Sequence, residues 1–134
     1  MDKAKIILTE QDLNRLQTML EHQEKFNSTM EQLEDELARA EVVKPQEIPT
    51  NVVTMNARVR LILSGSDHSN EITLVYPHDF KGEEGQVNIL APIGTAILGL
   101  TEGQSNEWQQ PDGNIMKVTI EKVLYQPERE GDYL

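Results

Sequence analysis

The chain has 134 residues, a formal charge of −11 and no cysteine. That length suits one domain, or a small domain with an appendage. The absence of thiols excludes disulfides and thiolate metal sites and points to a reducing cytoplasm, and the acidity suits a basic protein partner better than nucleic-acid phosphates.

The negative charge is spread evenly, with net −5 in residues 1–50 and −6 in residues 51–134. The first apolar run, Ile6-Ile7-Leu8, is too short for a signal peptide or a membrane span, so neither is expected. What changes near residue 50 is the hydrophobic period, from helical spacing before it to alternation after it.

Thr9 reads as a helix N-cap, with Asp12 at the capping-box position and Leu8 and Leu13 placed as a hydrophobic staple. Leu13, Leu16 and Leu20 continue at helical spacing. A second start is read at Ser28, with Glu31 three residues on and Met30, Leu33, Leu37 and Ala40 along one stripe. The short polar link around Gln23–Asn27 folds the two helices, near 9–24 and 28–41, into an antiparallel hairpin. Two heptads are marginal alone, so the base of the hairpin is expected to dock on the rest of the chain.

Lys44-Pro45 and Ile48-Pro49 mark a linker. Apolar residues then alternate from Val53 to Leu63, which predicts one strand of about eleven residues. Arg58 and Arg60 lie on its polar face, available to internal acids or to a partner. Gly65-Ser66-Asp67 turns the chain; Ile72, Leu74 and Tyr76 form a second strand, and Val87 and Ile89 a third. Pro92 suits a first helical position and Gly99 a left-handed stop, which bracket a mini-helix with Ile93, Ala96 and Ile97 on its apolar face. The strand around Trp108 turns through Pro111-Asp112-Gly113 into Met116, Val118 and Ile120. The alternation then slips by one residue to Val123 and Tyr125, the sign of a bulge. The pattern predicts an α+β protein: an N-terminal antiparallel helical hairpin over residues 1–48, then an antiparallel sheet domain with one short helix over 49–134.

No catalytic motif is present: the chain has no Cys nucleophile, no Gly-x-Ser-x-Gly and no Gly-rich phosphate loop with a following Lys. His22, His68 and His78 lack metal-ligand spacing and are expected at the surface. No cofactor, metal or catalytic residue is therefore expected.

The mini-helix motif Leu90-Ala91-Pro92-Ile93-Gly94 with Leu98-Gly99-Leu100 resembles the C-terminal domain of the Gre transcript-cleavage factors. So do Pro49–Val59, Leu74-Val75-Tyr76-Pro77, and Tyr125-Gln126-Pro127-Glu128 with Gly131-Asp132-Tyr133-Leu134. Nearly the whole chain is similar to the short-hairpin branch of that superfamily, the regulators of nucleoside diphosphate kinase. The resemblance implies an FKBP-like sheet domain and docking at the secondary channel of bacterial RNA polymerase. It makes Ala91, Pro92, Ile93 and Thr95 the candidate polymerase contacts, although Ala91 stands where a serine is usual, and Thr95 and Leu100 replace basic residues. It also implies a hairpin tip, here with Glu21 and Glu24, where Gre factors carry an Asp and Glu pair that helps hold a catalytic Mg²⁺. About fifteen residues per helix would reach roughly 22 Å, around half the arm expected of a cleavage factor. The expectation is a cytoplasmic, monomeric, non-cleaving regulator that binds RNA polymerase and competes with Gre factors, without direct nucleic-acid or membrane binding. The alternatives are an adaptor for another protein, or a factor that stimulates transcript cleavage.

Overall fold

The computed structural model describes residues 5–66, 68–110 and 112–131. The turn readings at Asp67 and Pro111, and the chain-end match at Asp132, Tyr133 and Leu134, lie outside these residues. Strand β1 (Ile7–Thr9) leads into helices α1 (Glu10–Glu21) and α2 (Ser28–Arg39) and a returning strand β2 (Glu41–Val43). Then follow β3 (Arg58–Leu63), β4 (Ser69–Val75), β5 (Gln86–Asn88), α3 (Pro92–Ile97), β6 (Ser105–Gln109) and β7 (Ile115–Tyr125). Two helices beside a strongly irregular sheet make the α+β class.

The hairpin forms where the period demands it. Asp12 N–H donates to Thr9 Oγ1 at 3.0 Å, which caps α1. The second cap falls one residue earlier than predicted: Met30 N–H donates to Asn27 Oδ1 at 2.8 Å, and Ser28 is already helical. Asn and Ser cap about equally well, so adjacent candidates could not be ranked from sequence. Leu16 and Leu33 are fully buried, and Leu20, Met30 and Leu37 nearly so.

These side chains do not merely pack on each other. They belong to one core that includes Val53, Met55, Leu74, Ile97 and Leu100 of the sheet region. At the far end of α1, Met19, His22 and Gln23 share a cleft of about 580 Å³ with Tyr76, Pro77 and His78. The hairpin therefore lies against the sheet domain along its length, where only its base was expected to dock.

Sequence reading missed the two-stranded parallel pairing of β1 with β2, Ile7 opposite Glu41 and Thr9 opposite Val43, which closes the base of the hairpin. Three-residue strands are too short to display a period.

The five-stranded sheet has the order β5-β4-β3-β7-β6. It is not purely antiparallel: β5 runs parallel to β4, with Thr73 opposite Gln86. The predicted eleven-residue strand is also shorter, because Asn56 adopts a left-handed conformation at φ 67° and breaks it. Before that break the backbone serves other partners: Val53 N–H donates to Leu100 O at 2.8 Å and Asn56 N–H to Leu74 O at 2.7 Å. Burial alternates only beyond the break, where Ala57, Val59 and Leu61 are buried between Asn56, Arg58 and Arg60; before it Val52, Val53, Thr54 and Met55 are all buried. The slip in β7 is real and double: Glu121 and Leu124 are each extra residues opposite β3.

One carboxylate joins hairpin to sheet. Asp12 is buried at 4% exposure, and its side chain does not complete a capping box. Asp12 Oδ2 accepts from Met55 N–H at 3.1 Å, and Oδ1 accepts from the Tyr76 hydroxyl at 3.2 Å. Burial pushes the Asp12 carboxyl up to about 6. Both hydrogen bonds and Arg15 oppose the rise, and the Glu128 carboxylate adds to it. Burial, followed by the Asp12 charge, also drives the Tyr76 hydroxyl well above its ordinary range.

Two outcomes are expected. Leu33→Ala should cost about 2–4 kcal/mol in denaturant unfolding, because the side chain is wholly enclosed; a loss under about 0.5 kcal/mol would contradict the packing. Asp12 is harder to ionise when folded, so its contribution is full below the unfolded value of 3.8 and is lost as pH rises towards about 6. Moving from pH 7 to pH 5 should therefore add about 1 kcal/mol of stability in the wild type. Asp12→Asn should remove that gain, as read by thermal melts at the two pH values.

Candidate functional site

The mini-helix α3 is a short, heavily constrained element. Pro92 occupies its first turn, and Ala91 precedes it without a side-chain cap bond. Gly94 is obligatory on steric grounds: a Cβ there would lie 2.4 Å from the Asn88 carbonyl oxygen. Thr95 is buried and donates its hydroxyl to Ile89 O at 2.8 Å. Asn106, from β6, donates Nδ2 to Ala96 O at 2.9 Å and so ties off a carbonyl of the last turn. Gly99 follows in the left-handed region at φ 79°.

The four candidate contact residues thus separate. Ala91 and Pro92 are partly exposed, and Ile93, also partly exposed, packs against the core. Thr95 holds the helix in its seat and has no face to offer a partner. Pro92 also lines a cleft of about 430 Å³ whose other walls are Ser28, Thr29 and Gln32 of α2 and Gln109, Gln110 and Gly113 beside the β6–β7 turn. Hairpin and mini-helix therefore present one continuous polar surface, a juxtaposition that no sequence period could reveal.

Glu21 ends α1, Glu24 lies in the loop after it, and both are exposed, as is Phe26 beside them. Among the described residues, no three His, Asp or Glu side chains converge in a way that could hold a metal ion. His22, His68 and His78 are all exposed. His22 Nδ1 lies 2.7 Å from Thr18 O, and His78 Nε2 lies 3.3 Å from Asp79 Oδ2. No helix of the described residues is long and apolar enough to cross a membrane.

The segment following Tyr125 works as a clasp. Gln126 is fully buried and donates Nε2 to both Pro49 O and Val52 O at 2.9 Å. Thr54 Oγ1 donates to Glu128 Oε1 at 2.7 Å, and Arg129 Nη2 donates to Leu124 O at 2.8 Å. The Gln126 and Glu128 bonds fix the linker between hairpin and sheet to the far end of β7, and the Arg129 bond folds the segment back on that strand. Sequence reading also missed the part played by Asp12. Its one visible signal is position: a carboxylate on the same helical stripe as Leu16 and Leu20.

Two family models account for most of the chain: "Rnk N-terminus" over residues 5–43, and "Transcription elongation factor, GreA/GreB, C-term" over residues 48–125. The regulator of nucleoside diphosphate kinase of Escherichia coli K12 is 36% identical over 135 aligned positions, covering 100% of this chain and 99% of that protein. The transcription elongation factor GreA of Thermodesulfovibrio yellowstonii is 32% identical over 84 residues, which is 63% of this chain and 53% of that factor. Among solved structures, a prokaryotic transcription elongation factor GreA/GreB from Nitrosomonas europaea is 44% identical and superposes with a TM-score of 0.74. That match covers 92% of this chain and 100% of the solved one. By these matches the chain belongs to the GreA/GreB family of transcription elongation factors, with the regulators of nucleoside diphosphate kinase as relatives along its whole length.

Proposed function

We propose that this chain is a transcription regulator that binds RNA polymerase at the secondary channel and supplies no chemistry there. On this reading it competes with cleavage-stimulating Gre factors for the same place. The observation that carries the reading is the length and posture of the arm. Each hairpin helix has twelve residues, which is about 18 Å of helix, shorter than the sequence suggested. That arm also lies against the sheet domain, so little of it extends beyond. A carboxylate acts on a bound Mg²⁺ only by touching it or its waters. Glu21 and Glu24 are exposed but sit on an arm too short to carry them to a distant metal.

Pro92 and the cleft it shares with Ser28, Thr29 and Gln32, with the partly exposed Ala91 and Ile93 beside it, supply the gripping surface in this reading. Family membership supports polymerase as the partner, and action on polymerase puts the protein in the cytoplasm. Thr95 is dropped from the contact set, being committed to Ile89 O.

In a cleavage assay on backtracked complexes, excess protein should slow Gre-stimulated cleavage, and more Gre factor should restore the rate. Alone, it should leave intrinsic cleavage near baseline. Glu21→Ala with Glu24→Ala should weaken binding modestly and mainly at low salt. Strong stimulation by the wild type, lost in that double variant, would return the tip acids to a catalytic role. Pro92→Asp in the full chain should weaken polymerase binding by about tenfold, or about 1.4 kcal/mol, with an unchanged melting temperature. Undiminished binding would move the grip away from α3.

A further inference from the structure

The outer face of the sheet carries an arrangement that folding does not require. On β3, Val59 and Leu61 point into the core, so Arg58 and Arg60 point outward. Arg58 Nη2 pairs with Glu71 Oε1 at 2.5 Å. Arg60 is opposite Glu71 on one side and opposite Lys122 on the other. Glu71 is engaged by Arg58, and the other acid of this face, Glu121, accepts a hydrogen bond from the Ser69 hydroxyl. Among the described residues, neither Arg60 nor Lys122 has a carboxylate within 4.0 Å or any hydrogen bond from its side chain. In a chain of net charge −11, two unneutralised cations directly opposite each other is an unfavourable pairing.

The pairing is created by a bulge. Ile120 is opposite Leu61 and faces the core, so an unbroken strand would send Lys122 inward as well. The extra residue Glu121 inverts the alternation and turns Lys122 out beside Arg60. The second extra residue, Leu124, brings Tyr125 opposite Arg58, where its ring stays 40% exposed. Two irregularities in one strand thus assemble Arg60, Lys122 and an exposed aromatic ring on one face.

We infer that this face is a second interaction surface and that it binds a short acidic segment of a protein partner. The Arg60 fork and the Lys122 ammonium would hold its carboxylates, with Tyr125 as an apolar contact at the edge. Charge complementarity favours this occupant over nucleic acid. A polyphosphate chain extends well past two cations and would meet Glu71, Glu121 and the acidic remainder of the molecule, whereas a compact acidic segment ends within the patch. The surface does not depend on polymerase binding, and its test requires none.

The probe is a fluorescein-labelled tetrapeptide with two adjacent glutamates, Gly-Glu-Glu-Gly, short enough to end within the patch, titrated with the full chain at low salt and read by anisotropy. The wild type should bind it, and Arg60→Glu with Lys122→Glu should weaken binding by about tenfold or more. A labelled octathymidylate should bind clearly less well than the peptide. Absence of peptide binding, equal binding by the double variant, or tighter binding of the oligonucleotide would each overturn the inference. A stability arm needs no ligand: Lys122→Gln should melt at or above the wild-type temperature, because it relieves a like-charge pair. A fall of several degrees in Lys122→Gln would assign the cation to the fold and overturn the inference as well.

Discussion

The base of the hairpin, the end of the mini-helix and the entry to the sheet meet at Gly99. Its carbonyl accepts from Ile7 N–H at 3.1 Å, and its own N–H donates to Val53 O at 2.8 Å. One residue therefore joins the first strand of the hairpin base, the end of the mini-helix and the entry to the sheet. The junction tolerates no side chain: a Cβ on Gly99 would stand 2.7 Å from Ile6 Cβ, and its φ of 79° already favours glycine. Because β1 crosses here at backbone contact, α1 must leave close over Met55 and Tyr76, which brings Asp12 into the core. The position of the hairpin follows from that crossing more than from the contacts between its two helices.

The same geometry explains why an acid is tolerated at the joint. Asp12 sits where a leucine would continue the stripe of Leu16 and Leu20, and an apolar side chain there would leave Met55 N–H without an acceptor. The carboxylate satisfies that donor and the Tyr76 hydroxyl together, and the energetic cost appears as its raised pKa. A buried group with two long-range partners also sets the angle of the hairpin, since small rotations would break both bonds. The arm is held down by directional bonds as well as by burial.

Legibility followed the range of the interactions. The two long helices were readable because leucines at helical spacing report a local period, and α3 because Pro92 and Gly99 mark its ends. The slip in β7 was visible as a break in alternation, although only pairing with β3 shows it to be two extra residues. By contrast, β1 and β2 depend on each other across the whole hairpin and are too short to carry a pattern. The alternating sequence before Asn56 did not report a strand, because Val52 to Met55 are all buried there and hydrogen bonds to Leu100 and Leu74 set the backbone. Of the candidate site, Pro92 was readable as the start of the mini-helix and Ile93 as part of its apolar face. The burial of Thr95 was not, since its partner Ile89 is fixed only when β5 joins the sheet.

Most of the residues behind the family likeness turn out to be fold requirements. Gly94 and Gly99 answer steric contacts, Gln126 and Glu128 clasp the linker, and Pro49, Thr50, Arg58 and Tyr125 are among those left exposed. A chain that keeps these requirements keeps the fold of the sheet domain, whatever its arm does. Arm length is a different kind of variable. A ligand oxygen must come within about 2.1 Å of Mg²⁺ to coordinate it, so chemistry at a metal does not fade gradually as an arm shortens; it is lost once the tip falls short. Occupancy of a docking site has no such threshold, because it depends on the buried surface of the platform. On the proposed function, a short hairpin laid against the sheet would separate binding from catalysis in one step, because the platform would still hold its place while the tip fell short of the metal.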